Sequence, residues 1–220
     1  MTEKEYFGDW LNILNLDVIK SILPKISNCL IEPRFQDIFK AFTLVSFHDL
    51  KAVFLGQDPY PQRGVATGIL FGNKQESKEV SPSLQVIKEA CIDYSVPHNN
   101  IKFDNTLESW GRQGVLLLNS SLTVIVGKPN SHSMVWRPFI KDLLNRLSEY
   151  PGIIYVLFGN IAQSFEPYIN SRFNDIIKVN HPAYYARLNK SMPHSVFKTI
   201  DKLMIGKYGK SIKWYNEQKD

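Results

Sequence analysis

The side chains equipped for chemistry follow four short apolar runs. Gln57 and Asp58 come after Val53-Phe54-Leu55-Gly56, and Asn119 comes after Val115-Leu116-Leu117-Leu118. Asn160 follows Ile153-Ile154-Tyr155-Val156-Leu157-Phe158-Gly159, and His181 follows Ile176-Ile177-Lys178-Val179-Asn180. A carboxylate, an imidazole and three side-chain amides can together hold a polar ligand by hydrogen bonds and stabilise charge that develops on it. Each has an ordinary explanation when taken alone: Asp58 as a loop cap, Asn119 as a turn residue, His181 as a surface histidine with satisfied nitrogens. What sets them apart is a shared position at the carboxyl end of an apolar run.

The elements that must position them follow from the same pattern. Continuous apolar runs, rather than alternating ones, suit strands covered on both faces, and helical periodicities separate the four, which predicts a parallel sheet. Ligands of such sheets bind outside the carboxyl ends of the strands, so Gln57, Asp58, Asn119, Asn160 and His181 should meet in one crevice. The predicted fold is α/β: a single domain over residues 1–220, with a central four-stranded parallel sheet flanked by helices.

Among the flanking elements, Trp10, Leu11, Ile13, Leu14, Val18, Ile19, Ile22 and Leu23 recur at helical spacing, with Asp9 as a cap and Pro24 as the stop. A short helix fits residues 35–42. Ser81 and Pro82 suit a helix start, with Leu84, Ile87, Cys91 and Tyr94 as its buried stripe. Trp136, Phe139, Ile140, Leu143, Leu144 and Leu147 mark another helix, and a last one is predicted from 194 to about 205. Residues 182–193 read as a polar, basic and aromatic loop.

Composition narrows the class. Of 220 residues, 44% are hydrophobic and 21% charged, an ordinary globular balance. No apolar run approaches the roughly 20 residues of a membrane helix, and the first eight residues lack the pattern of a signal peptide, so the expected setting is cytoplasmic, or nuclear in a eukaryote, without membrane association. Cys29 and Cys91 have no second Cys or His at metal spacing and read as small buried hydrophobes, which predicts neither a disulfide nor a metal. The net charge is +5, and residues 171–220 hold ten Lys or Arg against four Asp or Glu, leaving 16 against 17 before them. A basic final quarter suits a polyanionic partner such as nucleic acid, or simply a solvated basic face.

Two positions stay open at this level. In the Gly-rich stretch 62–73, Phe71 is either a core residue, which spacing alone favours, or a face on which a flat ring stacks. Ser83 lies at a helix start and serves packing or a phosphate.

Three ordered motifs then point to a family. Gly56-Gln57-Asp58-Pro59-Tyr60, the stretch from Leu107 to Asn119 (LESWGRQGVLLLN), and His181-Pro182 resemble the family 1 uracil-DNA glycosylases. Supporting matches are Ile38-Phe39-Lys40-Ala41-Phe42, Ser131-His132-Ser133 and Ile212-Lys213-Trp214, so the likeness runs roughly from residue 33 to 214. It implies hydrolysis of the bond between uracil and deoxyribose in DNA, on a flipped-out nucleotide, without metal or other cofactor. It also implies roles for individual residues. Asp58 orients the attacking water and stabilises the sugar cation, while His181 donates a hydrogen bond to uracil O2, which a neutral imidazole suits. Asn119 reads the uracil edge, Tyr60 stands against C5 and excludes thymine, Phe71 stacks on the base, and Gln57 contributes backbone near O2. Ser83, Gly159, Asn160, Tyr184, Tyr185 and Arg187 fall in the loops that meet DNA.

The chain departs from that pattern in places. Pro61 stands where most of the family has histidine, and Asn160 replaces a serine after Gly159. The usual His-Pro-Ser-Pro-Leu-Ser becomes His181-Pro182-Ala183-Tyr184-Tyr185-Ala186, where by position Tyr185 takes the place of the leucine that wedges into the base stack, and the adjacent, equally aromatic Tyr184 stays open as the residue that enters the duplex. The implied partners are uracil-containing DNA, single- or double-stranded, and a DNA-mimicking protein inhibitor, with the enzyme acting as a monomer. The alternative is a weakly active or inactive glycosylase-like protein that binds DNA or a protein, as a polymerase accessory factor or as a decoy for a glycosylase inhibitor.

Overall fold

The four apolar runs form four strands: β1 (Ala52–Gly56), β2 (Val115–Asn119), β3 (Ile154–Phe158) and β4 (Asp175–Val179). In the computed structural model, which describes residues 2–75, 80–92 and 100–217, they make one parallel sheet in the order β2-β1-β3-β4. Gly56 pairs with Asn119 and Phe158 with Val179, so the carboxyl ends lie level at one edge. Strand geometry turns successive side chains to opposite faces. Val53, Leu55, Leu116, Leu118, Tyr155 and Leu157 therefore enter one core, and Ala52, Phe54, Val115, Leu117, Ile154, Val156 and Phe158 enter the other. Helices Leu16–Ile26 and Ser133–Leu147 supply side chains to the first core, and Pro82–Cys91 and Ser195–Tyr208 to the second. The edge strand β4 is less buried and carries Lys178, whose ammonium pairs with Glu166 at 3.1 Å.

Local chemistry explains where the elements differ from the sequence reading. The first helical pattern is two elements, a 3-10 turn at Gly8–Asn12 and the helix Leu16–Ile26. Asp9 caps neither. Its carboxylate accepts from the Phe47 and His48 N–H groups, both at 3.1 Å, and from Ser46 Oγ at 2.9 Å, tying the amino-terminal segment to the loop before β1. Asn15 is the cap instead, accepting from Val18 N–H at 3.3 Å. Pro24 lies inside the last turn, where one missing N–H removes a single helical bond without ending the helix. The pattern over 35–42 likewise splits into a 3-10 turn Phe35–Asp37 and the helix Lys40–Leu44.

The stretch expected as a loop after His181 begins with a helix, Pro182–Arg187, because Pro182 at its first position already has the right φ and His181 caps it. Two ribbons too short to show periodicity join distant segments: Ile31–Glu32 pairs antiparallel with Val124–Ile125, and Ile101–Lys102 with Asn216–Glu217. Cys91 is buried, whereas Cys29 is only half-buried, and both are free. Tyr94 lies outside the described residues. Among the described residues no helix is long and apolar enough to cross a membrane, and no group of three or more His, Cys, Asp or Glu side chains is placed to hold a metal.

Candidate active site

Close approach at the end of β1 shapes the site. A Cβ on Gly56 would fall 2.1 Å from Leu70 Cδ1, so any larger residue would push the buried Leu70 side chain aside where the 68–71 turn crosses the strand end. Leu70 N–H donates to Leu117 O at 3.1 Å, which pins that turn to β2. The next residue, Phe71, is held at φ 62°, a conformation a bulky side chain adopts only under constraint. Its carbonyl accepts the Tyr60 hydroxyl at 3.0 Å, which ties the Tyr60 side chain to the Phe71 backbone.

These contacts leave a cavity of about 360 Å³ at the carboxyl edge of the sheet, lined by Gln57, Asp58, Tyr60, Phe71, Asn119 and His181 among others. That volume is at the small end of small-molecule sites, roughly 300 to 1,000 Å³. Ser83, Pro61 and Arg187 also line it. Phe71 belongs to both alternatives left open by its spacing: it is a member of the second core and it faces the cavity. Its ring stands edge-on to Phe158 at 5.2 Å and to His181 at 5.5 Å.

Each polar group in the cavity has a distinct electrostatic state. The Asp58 carboxylate accepts the Asn130 N–H at 2.6 Å, while the Gln57 amide donates to the Asn130 side-chain oxygen at 2.8 Å. Asn130 sits at φ 64°, which asparagine tolerates, and this aims its N–H at Asp58. Burial pushes the Asp58 carboxyl above its ordinary range, opposed by the hydrogen bonds from Asn130 and Gln57. Burial likewise pushes the Tyr60 phenol up. Asn119, the last residue of β2, is buried, and its Oδ1 has no hydrogen-bond partner.

His181 Nδ1 accepts the Ala183 N–H at 3.1 Å, which places the ring proton on Nε2. Burial, reinforced by the positive charge of Arg187, lowers its pKa to about 4, so the imidazole is neutral near pH 7. Gly159, at φ +83°, makes room for it: a Cβ there would stand 2.9 Å from His181 Cβ.

The structure brings Gln57, Asp58, Tyr60, Phe71, Ser83, Asn119, His181 and Arg187 to one cavity, and Gly159, Asn160, Tyr184 and Tyr185 are not among its lining residues. Gly159 lies behind His181 rather than on the cavity wall, and Asn160 is exposed at the start of the short helix Gly159–Gln163. The two tyrosines stand edge-on at 5.3 Å. Tyr184 is 44% exposed, whereas Tyr185 is half-buried and packs against the second core. Sequence reasoning missed Asn130, which holds Asp58 through its backbone. The available signal was the turn dipeptide Pro129-Asn130, which marks a bend without saying what its N–H meets.

The model of the Uracil DNA glycosylase superfamily matches residues 42–203. A uracil-DNA glycosylase of Buchnera aphidicola subsp. Acyrthosiphon pisum is 34% identical over 216 residues, covering 97% of this chain and 93% of that protein. One of Fusobacterium nucleatum is 33% identical over 225 residues, covering 97% of each. Among solved structures, mimivirus uracil-DNA glycosylase superposes with a TM-score of 0.75 at 22% identity, covering 96% of this chain and 91% of that one. The mimivirus UNG Y322F structure in complex with UGI gives a TM-score of 0.80 at 22% identity, covering 97% and 91%.

Proposed function

The chain belongs to the uracil DNA glycosylase superfamily, and we infer from that premise how its cavity works. The protein is a DNA-repair enzyme that hydrolyses the N-glycosidic bond of uracil in DNA, leaving an abasic site. The observation that carries the assignment of base recognition is the buried, unpartnered Asn119 Oδ1 in the same cavity as a neutral His181 whose remaining donor is Nε2–H. A buried acceptor without a partner is unfavourable until a ligand supplies an N–H. Uracil does so with N3–H, flanked by the two carbonyl oxygens that an amide N–H and the imidazole N–H would engage. Cytosine presents a lone pair at N3 and an amino group at C4, and leaves these groups mismatched.

The reaction then distributes over named side chains. A uracil nucleotide leaves the stack, at a cost of a few kcal/mol, and its base enters against the Phe71 ring. Tyr60, locked by its bond to the Phe71 carbonyl, stands where a 5-methyl group would need to fit. The N1–C1′ bond breaks with its electron pair going to uracil, and the negative charge reaching O2 is met by His181 Nε2–H. A water held by Asp58 adds to C1′ and passes its proton to the Asp58 carboxylate, from which it goes on to the departing uracil anion, so that the abasic sugar carries the hydroxyl and uracil the proton. With the Asn130 N–H and the Gln57 amide around it, Asp58 is a positioned anion whose negative charge favours the cationic sugar. No step calls for a metal or other cofactor.

Tyr184 is the residue we assign to the vacated stack, since it is the exposed member of the pair, and Arg187 and Ser83 serve the phosphates beside the cavity mouth. The inhibitor complex of mimivirus UNG supports a protein partner that competes for the same surface. The test is base release from a single-stranded oligonucleotide carrying one uracil, read as alkali-labile cleavage, with Asp58→Asn beside it. Wild-type release should fall by about 10²-fold or more in the variant while DNA binding persists. Folded wild-type protein that binds the oligonucleotide and leaves the bond intact would replace this reading with the binding-only alternative.

A further inference from the structure

The loop that follows Asp58 is held by a group outside the cavity. Glu32 is 4% exposed, and its Oε1 accepts the Gly64 N–H at 2.6 Å, while its Oε2 is buried with no partner. Glu32 itself sits in the ribbon with Val124–Ile125, and the chain leaving that ribbon closes on the same loop through Gly127 N–H to Pro61 O at 2.9 Å. Three residues further on, Asn130 N–H meets Asp58. The segments 58–64, 31–32 and 124–130 thus form one closed frame around Asp58, and Glu32 is its charged corner.

A carboxylate with one oxygen buried and unpaired is not what stability selects at such a place, because desolvating it is costly and an apolar side chain would fill the same volume. The short bond to Gly64 is what the carboxylate supplies there. We propose that Glu32 is a positioning residue of the reaction: by clamping the Gly64 N–H it fixes the 61–64 loop and, through it, the placement of Asp58 toward C1′. This rests on the glycosylase reading for its kinetic consequence but not for the clamp itself. Small losses of placement lower turnover rather than binding.

Three variants and two readouts test it. Glu32→Ala removes the acceptor, Glu32→Asp keeps the charge but withdraws the acceptor by one methylene, and Glu32→Gln keeps the reach and removes the charge. On a uracil oligonucleotide, kcat should fall about ten-fold in Glu32→Ala and Glu32→Asp with KM little changed, and Glu32→Gln should recover most of the rate. Independently of activity, trypsin should cut after the exposed Arg63 faster in Glu32→Asp than in wild type, and at the wild-type rate in Glu32→Gln. Should Glu32→Ala fail to fold, the Asp and Gln pair carries the test. Glu32→Gln losing as much rate as Glu32→Asp, or Glu32→Asp keeping wild-type kcat and wild-type cleavage at Arg63, would overturn the proposal. An inactive wild type with the expected trypsin pattern would instead count against the glycosylase reading and leave the clamp standing.

Discussion

The floor of the cavity and its rim are built by opposite means. On the floor three groups are each held twice: Asp58 by its place just past β1 and the Asn130 N–H, Tyr60 by burial and the Phe71 carbonyl, His181 by the Ala183 N–H and by packing against Gly159. On the rim, the six-residue helix Pro182–Arg187 carries an exposed Tyr184 and an exposed Arg187, to which we assign stacking and charge attraction. Chemistry at a fixed atom needs placement within a fraction of an ångström, whereas stacking on a base and attraction to phosphate tolerate movement. The rim is also where this chain departs most from the family pattern, in keeping with that tolerance.

The largest effect is expected at His181. His181→Leu removes the Nε2–H donor and should lower kcat by about 10²- to 10³-fold with uracil-DNA affinity nearly unchanged. Its pH dependence sharpens the point. Because the folded-state pKa is about 4, below the ordinary imidazole value of about 6.5, the neutral ring contributes stability fully above 6.5, and this is lost as pH falls toward 4. Single-turnover release should therefore show no loss centred near 6.5. A midpoint there that vanishes in His181→Leu would mean that the ring titrates as if solvated, and that the floor is looser than described.

Base choice is tested at Asn119. Asn119→Asp reverses part of the edge presented to the base and should produce cytosine release where wild type gives none, with uracil release reduced, since mismatched buried polar groups can discriminate by about 10⁴-fold. Cytosine still refused by a folded variant would remove Asn119 from base reading.

Smaller effects belong to the rim. Tyr184→Ala should slow release from a U:A duplex about ten-fold, consistent with about 1 to 3 kcal/mol per stacked base, and leave single-stranded substrate almost untouched. Tyr185→Ala should instead lower the melting temperature, because that ring packs on the core. Interchanged outcomes would return the wedge to Tyr185. The smallest change is expected for Arg187→Ala: affinity weakened a few-fold across sequences and the salt slope reduced by about one, measured by DNA titration at several salt concentrations.

Sequence alone determined the sheet and the edge at which the site forms. Four apolar runs separated by helical periodicities specify a parallel sheet, and polar residues just past each run specify the ligand edge, because both signals are local and repeat with the period of the backbone. Family motifs then assigned the roles that bare spacing left open, as at Phe71. Tertiary structure decided the rest, since a hydrogen-bond partner is a matter of three-dimensional proximity. Asn130 holds Asp58 from 72 positions away and Glu32 reaches Gly64 across 32. The neutrality of His181 comes from burial among elements far apart in the chain, with Arg187 reinforcing it. Which of two adjacent tyrosines faces outward depends on how a six-residue helix packs on the second core, and two aromatic neighbours carry no periodic signal that could have said so.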